Sequence, residues 1–315
     1  MDMTFNSLRQ GVVRVSAMAA VTGLAIGLLP AAAQAADPSC GRVYLVNNQN
    51  ELLTLRRKAP LLAQIGAAGG SNQPVGLRSR QPIGGLAGGE SFIGVDVRPS
   101  TGVLYGVGRI GADAVGQLYT IDTSTGLATP VGARTIPLTG VGFGIDFNPV
   151  PDLLRIVSDT GQNIRVRPVD GTVAGTDTAL AYPAMGDPNA GRTARVVAIA
   201  YTNPDVDPQT NTVLHDIDVN RAADADRNGD GLAIQVPPNA GVLNTVGTTG
   251  VDADDMTAFD IGANNEPLAA MRPSGSPFSR LYFIDLPSGS AIDLGQIGPG
   301  ELVVGLAIQV GPPCN

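Results

Sequence analysis

This sequence has no tryptophan, one histidine and one lysine, Lys58. Charged residues make up only 15% of the chain, against about 25% in an average globular protein. The shortage of basic residues excludes the positive surface on which nucleic-acid binding depends. A single histidine excludes a histidine-cluster metal site. Without tryptophan the best stacking surface for sugar rings is missing, so a carbohydrate ligand has little support.

Glycine and proline are abundant. The 315 residues include 41 glycines and 24 prolines, and 43% of the residues are apolar. Long helices tolerate neither glycine nor proline in number, so a helix bundle is excluded. The apolar content is that of a chain that folds around a core. The composition therefore predicts an all-β protein with many turns.

The amino terminus has the pattern of a secretory signal peptide. Arg9 and Arg14 precede an apolar run, Ala17–Leu29, and the run is followed by the small-residue cleavage pattern Ala33-x-Ala35. An apolar run of about 13 residues is shorter than the roughly 20 needed to cross a membrane. A cleaved signal is therefore favoured over a membrane anchor.

Cleavage would leave residues 36–315 as a single exported domain, periplasmic or extracellular. Loss of residues 1–35 removes two arginines and one aspartate, which changes the net charge from −8 to −9. An acidic chain with one lysine is a poor partner for nucleic acid or an anionic membrane. We expect neither partner, and no membrane insertion after cleavage.

Five short apolar segments repeat along the chain and begin 50, 54, 60 and 47 residues apart. Three further strand-like segments follow most of these repeats along the chain. Four-stranded units of this length are typical of a β-propeller, and their number predicts five blades. The five segments are Gly94–Val97, Gly144–Phe147, Ala198–Tyr201, Ala258–Ile261 and Gly305–Ile308.

The two ends of the chain complement each other in this pattern. The last segment, Gly305–Ile308, has no strands after it, and Val43–Val46 begins a unit that lacks its innermost strand. We therefore predict that the C-terminal strand joins the N-terminal blade and closes the ring, with Leu61–Gly66 as that blade's fourth strand. Closure would bring Cys40 close to Cys314, the only two cysteines. A disulfide between them is expected in an exported protein.

An acidic segment carries the sharpest local motif. Asp224, Asp226 and Asn228 stand at positions 1, 3 and 5 of a loop, with a glycine at 6 and Asp230 at 7, as in calcium loops. The loop departs from an EF-hand at position 12, where Gln235 replaces the bidentate glutamate. It falls between the second and third strands of the fourth blade. A weak calcium site and an acidic hairpin tip both remain open.

Three repeats carry an aspartate at the same place in the innermost strand: Asp96, Asp146 and Asp260. Innermost strands line the channel of a propeller, so these carboxyl groups should gather near the axis, where they could bind a cation or act as acid and base. The other two repeats carry Ala200 and Ala307. That incomplete ring favours a structural role, with each carboxylate bonded to backbone groups where blades meet.

Three further polar residues are candidates for structural roles. The single histidine, His215, occupies the place of a packed strand residue in its repeat. Glu90 and Glu301 hold matching positions in two repeats, which favours a role in a turn over catalysis.

Several longer stretches resemble a known bacterial family, domain of unknown function 4394 (DUF4394). They are Gly94–Tyr105, Gly116–Asp122, Phe143–Pro149, Arg155–Asn163 and Pro237–Gly247. The resemblance implies an exported, propeller-like protein. It brings no established activity and no catalytic residues. The acidic loop looks like an addition to the family pattern.

No catalytic constellation stands out in the sequence, so a non-enzymatic role is favoured. Our first hypothesis is an exported binding or scaffold module that holds an unknown protein or small ligand through the loops at one end of the ring. The alternative is a calcium-assisted hydrolase of esters, lactones or glycosides. Its channel carboxylates Asp96, Asp146 and Asp260 would bind the metal or transfer protons.

Overall fold

The computed structural model describes residues 41–55, 74–219 and 230–310. They form twenty β-strands and two single-turn 3₁₀ helices, Pro238–Ala240 and Ala263–Asn265. The strands are β1 Val43–Asn47, β2 Glu51–Leu55, β3 Leu77–Pro82, β4 Glu90–Val97, β5 Leu104–Ile110, β6 Val115–Ile121, β7 Ala128–Pro137, β8 Phe143–Asn148, β9 Leu153–Ser158, β10 Asn163–Val166, β11 Val173–Thr176, β12 Val196–Tyr201, β13 Leu214–Asp218, β14 Gly231–Gln235, β15 Leu243–Thr248, β16 Ala253–Gly262, β17 Glu266–Pro273, β18 Arg280–Ile284, β19 Ala291–Gln296 and β20 Val303–Ile308.

The strands form five antiparallel sheets of four strands each, arranged as the blades of a β-propeller. Blade 1 contains β20, β1, β2 and β3, and blades 2 to 5 follow in chain order as β4–β7, β8–β11, β12–β15 and β16–β19. The predicted five-bladed, all-β architecture is confirmed. Because the strands alternate in direction, loops emerge at two ends of the ring. We call the end where the innermost strands begin the front end, and the other the back end.

The core lies between the blades. In the described part of the chain, each of five apolar clusters joins residues of two neighbouring blades. An innermost strand such as β12 is buried along its whole length, whereas the outermost strand β3 is largely exposed. Burial of both sheet faces explains why an inner strand such as β12 is a continuous apolar run without polar alternation.

Blade 1 is closed by the C-terminal strand, as predicted. β20 pairs antiparallel with β1, with Val43 opposite Ile308 and Leu45 opposite Leu306. This pairing removes an open sheet edge. The prediction of Leu61–Gly66 as the fourth strand was wrong: that strand is β3, and Leu61–Gly66 lies outside the described residues. An outermost strand buries little surface, so apolar content is a poor guide to its position.

Turn glycines hold neighbouring blades close together. Gly126 has a φ of +74°, and a Cβ there would lie 2.4 Å from the carbonyl oxygen of Pro82 in the preceding blade. Gly171 repeats this arrangement one blade later, with φ +69° and 2.7 Å to the carbonyl oxygen of Val131. Only glycine fits both the backbone angle and the contact. Part of the glycine excess is thereby explained.

Some predicted features lie outside the described residues: the signal peptide, Cys40, Cys314, and Asp224, Asp226 and Asn228 of the acidic loop. The disulfide and most of the calcium loop therefore stay predictions. Within the described ranges no helix is long and apolar enough to cross a membrane.

Candidate functional site: the axial channel and its front mouth

The axial channel is lined by the innermost strands of all five blades. The space that a water molecule can occupy there is about 10 Å³, enough for about one water. Small residues make the channel narrow: a Cβ on Gly94 would lie 2.8 Å from Ile145, and one on Gly305 would lie 2.9 Å from Val95. The strands approach so closely because their repeats begin with Gly or Ala.

Two residues further along three of these strands lie Asp96, Asp146 and Asp260. Each side chain is buried, and the three can offer carboxylate oxygens that all lie within 4.8 Å of one another. The prediction that these aspartates gather near the axis is therefore correct. Oxygen ligands at this spacing have the chemistry that a hard cation prefers.

Asp96 bonds to the backbone of two blades. Its Oδ1 accepts a hydrogen bond from the N–H of Val97 (2.6 Å), and its Oδ2 accepts one from the N–H of Phe147 in the next blade (2.7 Å). Asp146 makes the same bond to the following blade, from the N–H of Tyr201 (3.1 Å). Each carboxylate thus ties its own innermost strand to the next one around the ring.

Asp260 accepts two backbone hydrogen bonds in the same way as Asp96. Its Oδ1 accepts from the N–H of Ile261 (2.6 Å) and its Oδ2 from the N–H of Ile308 (2.5 Å), which belongs to blade 1. The two alanine positions of the ring are thereby explained. Where a blade carries Ala200 or Ala307 instead of aspartate, the aspartate of the following blade accepts the N–H of the next residue in its own strand. Three carboxylates therefore serve one N–H group from each of the five innermost strands.

Burial and mutual repulsion disfavour three negative charges on the axis. Burial raises the pKa of Asp96 well above its ordinary value, and the nearby charge of Asp260 raises it further. Burial likewise raises the pKa of Asp146, as do the charges of Asp96 and Asp260. For Asp260 burial raises the pKa to about 7, while its backbone hydrogen bonds oppose the shift. The cluster is therefore suited to hold protons or a cation.

Asp230 is the one ligand residue of the predicted calcium loop that the structure describes. It is buried, and its Oδ2 accepts a hydrogen bond from the N–H of Ala253 (2.7 Å). Burial raises its pKa to about 7, and the charge of Asp252 contributes. The side chain thus joins the loop to the first residue of blade 5. Whether the loop binds calcium stays a prediction.

The front mouth of the channel carries a feature that the sequence did not indicate. Arg195 Nη2 lies 3.5 Å from Asp159 Oδ2 and 3.3 Å from Asp255 Oδ1, so the guanidinium group links blades 3, 4 and 5. Its Nε is buried and has no acceptor among the described residues. The other oxygen of Asp159 accepts from the N–H of Val141 (2.9 Å), whose side chain is 69% exposed. Met185, 85% exposed, lies on the loop that leads into Arg195.

Glu90 and Glu301 are structural, in agreement with their repeated position. Glu90 accepts from the hydroxyl of Tyr119 (2.5 Å) and pairs with Arg134 of the outermost strand of blade 2 (2.7 Å). Glu301 pairs with Arg80 of the outermost strand of blade 1. In both blades an acid at the innermost strand is joined to an arginine at the rim.

His215 is a buried residue of β13, as its repeat position indicates. Burial lowers the pKa of its imidazole. Its Nδ1 has no hydrogen-bond partner in the described part of the chain. The side chain is therefore a neutral packing element.

Comparison with solved structures finds distant similarity. A Bacteroides uniformis protein provisionally named a 6-phosphogluconolactonase is 14% identical, with 84% of this chain and 72% of that chain covered and a TM-score of 0.36. A Lactobacillus plantarum protein is 12% identical, with 84% and 71% covered and a TM-score of 0.39. No curated protein matches the sequence.

One family model matches most of the chain, over residues 67–307, and it is described as domain of unknown function (DUF4394). The matched range runs from the N-terminal blade to the closing strand. The chain belongs to the DUF4394 family.

Proposed function

We propose that this protein is an exported binding module that holds a protein or small ligand at the front end of the ring. The axial channel is its structural hub. A channel with room for about one water, whose carboxylates are occupied by backbone N–H groups, leaves the end faces for a ligand. Function on a propeller resides in such a site and not in the fold itself.

The observation that carries this proposal is the front mouth. Arg195 makes two long contacts, at 3.3 and 3.5 Å, and keeps one buried donor unused. The exposed side chain of Val141 lies beside the same ion pair. An arginine that is loosely held next to exposed apolar surface can exchange its contacts for those of a ligand. Binding would then join blades 3, 4 and 5.

The chain offers a matched pair of variants for a test. Val141 and Val169 are the same residue at 69% and 71% exposure, but Val141 lies at the front end and Val169 at the back end. In a thermal-shift screen of a metabolite and peptide library, we expect Val141→Asp to abolish the shift given by a hit. Val169→Asp should retain it. Hits that survive Val141→Asp and are lost in Val169→Asp would refute a front-end site.

A protein partner needs a second measurement. A photo-crosslinking amino acid at position 141 should give adducts in the expressing host, and the same amino acid at position 169 should not. Arg195→Ala should reduce the yield at position 141, since it removes the group that links three blades. Equal adducts from both positions would count against the proposal.

The alternative function is a calcium-assisted hydrolase that uses Asp96, Asp146 and Asp260. Its support is the approach of three carboxylates within 4.8 Å. Asp146→Asn is the best probe, because Asp146 uses one oxygen for a backbone N–H and the amide can keep that bond. Loss of calcium binding and of ester, lactone or glycoside hydrolysis in this variant would favour the hydrolase. If calcium binding and hydrolysis are the same in Asp146→Asn and in the unmodified protein, the binding module remains the better proposal.

Export and the disulfide are part of the same proposal. We expect the mature protein to begin after Ala35 and to carry a Cys40–Cys314 bond. The pairing of Arg42 with Gln309, whose N–H donates to the Arg42 carbonyl at 2.7 Å, supports the proximity of the two cysteines. N-terminal sequencing and non-reducing peptide mapping test both. Two free thiols would contradict the disulfide.

A further inference from the structure

Asp216 is a fully buried acid without a partner. It lies on β13 of blade 4, opposite Ile199 of β12 and Ala233 of β14. These two neighbours belong to the apolar cluster between blades 3 and 4, which we call the 3–4 seam. The side chain is 0% exposed, and neither carboxylate oxygen has a hydrogen-bond partner in the described ranges. Such a group is costly unless something pairs with it.

A second orphan acceptor lies on the same face of the sheet. Gln235 is also 0% exposed, and its Nε2 donates to the carbonyl of Pro238 (2.5 Å). Its Oε1 has no donor among the described residues. Gln235 follows Ala233 by two residues, so it shares the face of Asp216 and is its diagonal neighbour. Diagonal neighbours lie about 7–8 Å apart, within reach of one bound group.

Side-chain donors near the 3–4 seam bond to other groups. The guanidinium of Arg155, whose charge acts on Asp216, donates through Nε to the Tyr201 hydroxyl (2.8 Å) and through Nη1 to Asp177 (2.9 Å). Its Nη2 donates to Asn239 (2.7 Å). The Tyr182 hydroxyl donates to Asp218 (2.6 Å). None of these bonds reaches Asp216 or Gln235 Oε1, so three acceptor oxygens on two buried side chains have no hydrogen-bond donor in the described part of the chain.

The charges that act on Asp216 do not neutralise it within its own pair. The guanidinium of Arg155 acts on Asp216 but is already paired with Asp177, and the charge of Asp218 opposes ionisation of Asp216. A neutral ligand would satisfy the oxygens and leave the charge. A cation bound through oxygen satisfies both needs, because hard cations take carboxylate and amide oxygens as ligands.

We propose that the 3–4 seam binds one small hard cation through the Asp216 carboxylate and the Gln235 amide oxygen. The site is separate from the axial cluster and from the acidic loop. It lies on the strand that also anchors the front-mouth loop, since Asp218 accepts from the Tyr182 hydroxyl and from the Arg195 N–H (3.0 Å). The cation therefore stabilises the 3–4 seam under the proposed ligand face.

The rival occupant of the site is a proton. Burial raises the pKa of Asp216 well above its ordinary value, and a protonated carboxyl could donate to Gln235. The two occupants can be distinguished by how the stability of the fold depends on the solution. With a proton in the site, stability depends on pH and not on the salt. With a bound cation, stability rises in proportion to the logarithm of the cation concentration and depends on which ion is present.

The test is thermal unfolding of the mature protein at pH 8 in NaCl, KCl, CaCl₂ or choline chloride at equal ionic strength. We expect Tm to rise by a constant step for each tenfold increase of one metal ion, and not with choline. Asp216→Asn should abolish that response, and Gln235→Met should shift it to at least tenfold higher concentration. Equal Tm in all four salts would overturn the proposal in favour of the proton.

Asp146→Asn locates the site. It alters the axial cluster and leaves the 3–4 seam intact, so we expect it to keep the ion response. A response that Asp146→Asn removes and Asp216→Asn retains would place the cation on the axis and overturn the proposal. If Asp216→Asn does not fold, Gln235→Met carries the test, because it removes only the amide group and keeps an uncharged side chain of similar size.

Discussion

Asp96 in blade 2 and Asp216 in blade 4 are both buried aspartates, yet their surroundings are opposite. Both oxygens of Asp96 accept backbone N–H groups, whereas neither oxygen of Asp216 has a partner in the described chain. Burial raises the pKa of both. Burial alone therefore does not tell what a buried acid does. The hydrogen-bond partners distinguish the two cases: the Asp96 carboxylate joins two blades, whereas the Asp216 carboxylate is available to bind a cation or a proton.

The largest expected effect comes from removing a carboxylate that serves two N–H groups. Asp96→Ala leaves the N–H groups of Val97 and Phe147 without an acceptor, at about 1–3 kcal/mol each. We therefore expect a loss of about 2–6 kcal/mol in the free energy of unfolding. Asp146→Ala leaves only the N–H of Tyr201 unpaired and should lose about half as much. Urea unfolding followed by circular dichroism measures both, and equal losses would refute the shared-acceptor account.

The pH dependence of stability follows from the raised pKa values. Burial raises the pKa of Asp260 and Asp230 to about 7, and it also raises the pKa of Asp96, Asp146 and Asp216. The folded protein then keeps protons that the unfolded chain releases above about pH 4. The contribution of these aspartates to stability is fully present below about pH 4, and it is lost as the pH rises through their pKa values in the folded protein.

We therefore expect the free energy of unfolding in urea to be higher at pH 5 than at pH 8, because each such group loses about 1.4 kcal/mol per pH unit between about pH 4 and its folded-state pKa. Choline chloride as the only salt keeps metal ions out of the measurement. Burial lowers the pKa of His215, so this group adds stability as pH rises within the window and offsets part of the effect. Aspartates with a lowered pKa act below pH 4, outside this window. They are Asp122, Asp152, Asp170 and Asp187. A flat profile between pH 5 and 8 would contradict the assignment.

The smallest expected effect has the opposite sign. In choline chloride at pH 8, Asp216→Asn replaces an unpaired acid by a neutral amide that can donate to Gln235. We expect a gain of about 1–2 kcal/mol in the free energy of unfolding. Asp96→Asn under the same conditions should be destabilising, since the amide nitrogen would face a backbone N–H. A loss in both variants would remove the distinction between the two acids.

Much of the fold could be predicted because the inner strands are recognisable in the sequence as repeated apolar runs. Segments such as Ala198–Tyr201 are buried on both faces and repeat as apolar runs, so their spacing indicated five blades. The outer strand Leu77–Pro82 is largely exposed and carries two arginines, so apolar content pointed to Leu61–Gly66 instead. The approach of Asp96, Asp146 and Asp260 followed from their repeat position.

The sharing of hydrogen bonds did not follow from the sequence. It depends on contacts between successive blades, which repeat spacing does not describe. The front mouth was missed for the same reason: Arg195 and Asp255 are 60 residues apart and meet only because blades 4 and 5 are adjacent. For Asp216 the sequence shows only an acid next to a histidine. Its lack of a partner becomes evident when the 3–4 seam is assembled.

Closure of blade 1 by β20 has a consequence for the order of folding. Tyr44 and Gln309, which meet in that blade, are 265 residues apart, so the first strands are synthesised long before their partner. Blades 2 to 5 each contain consecutive strands and can form as local units, but the ring cannot shut until the last strand is available. Such a distant pairing is a slow step in folding. Until it occurs, the free edge of β1 can pair with another chain, so the ring is protected from such pairing only after the last strand has been synthesised.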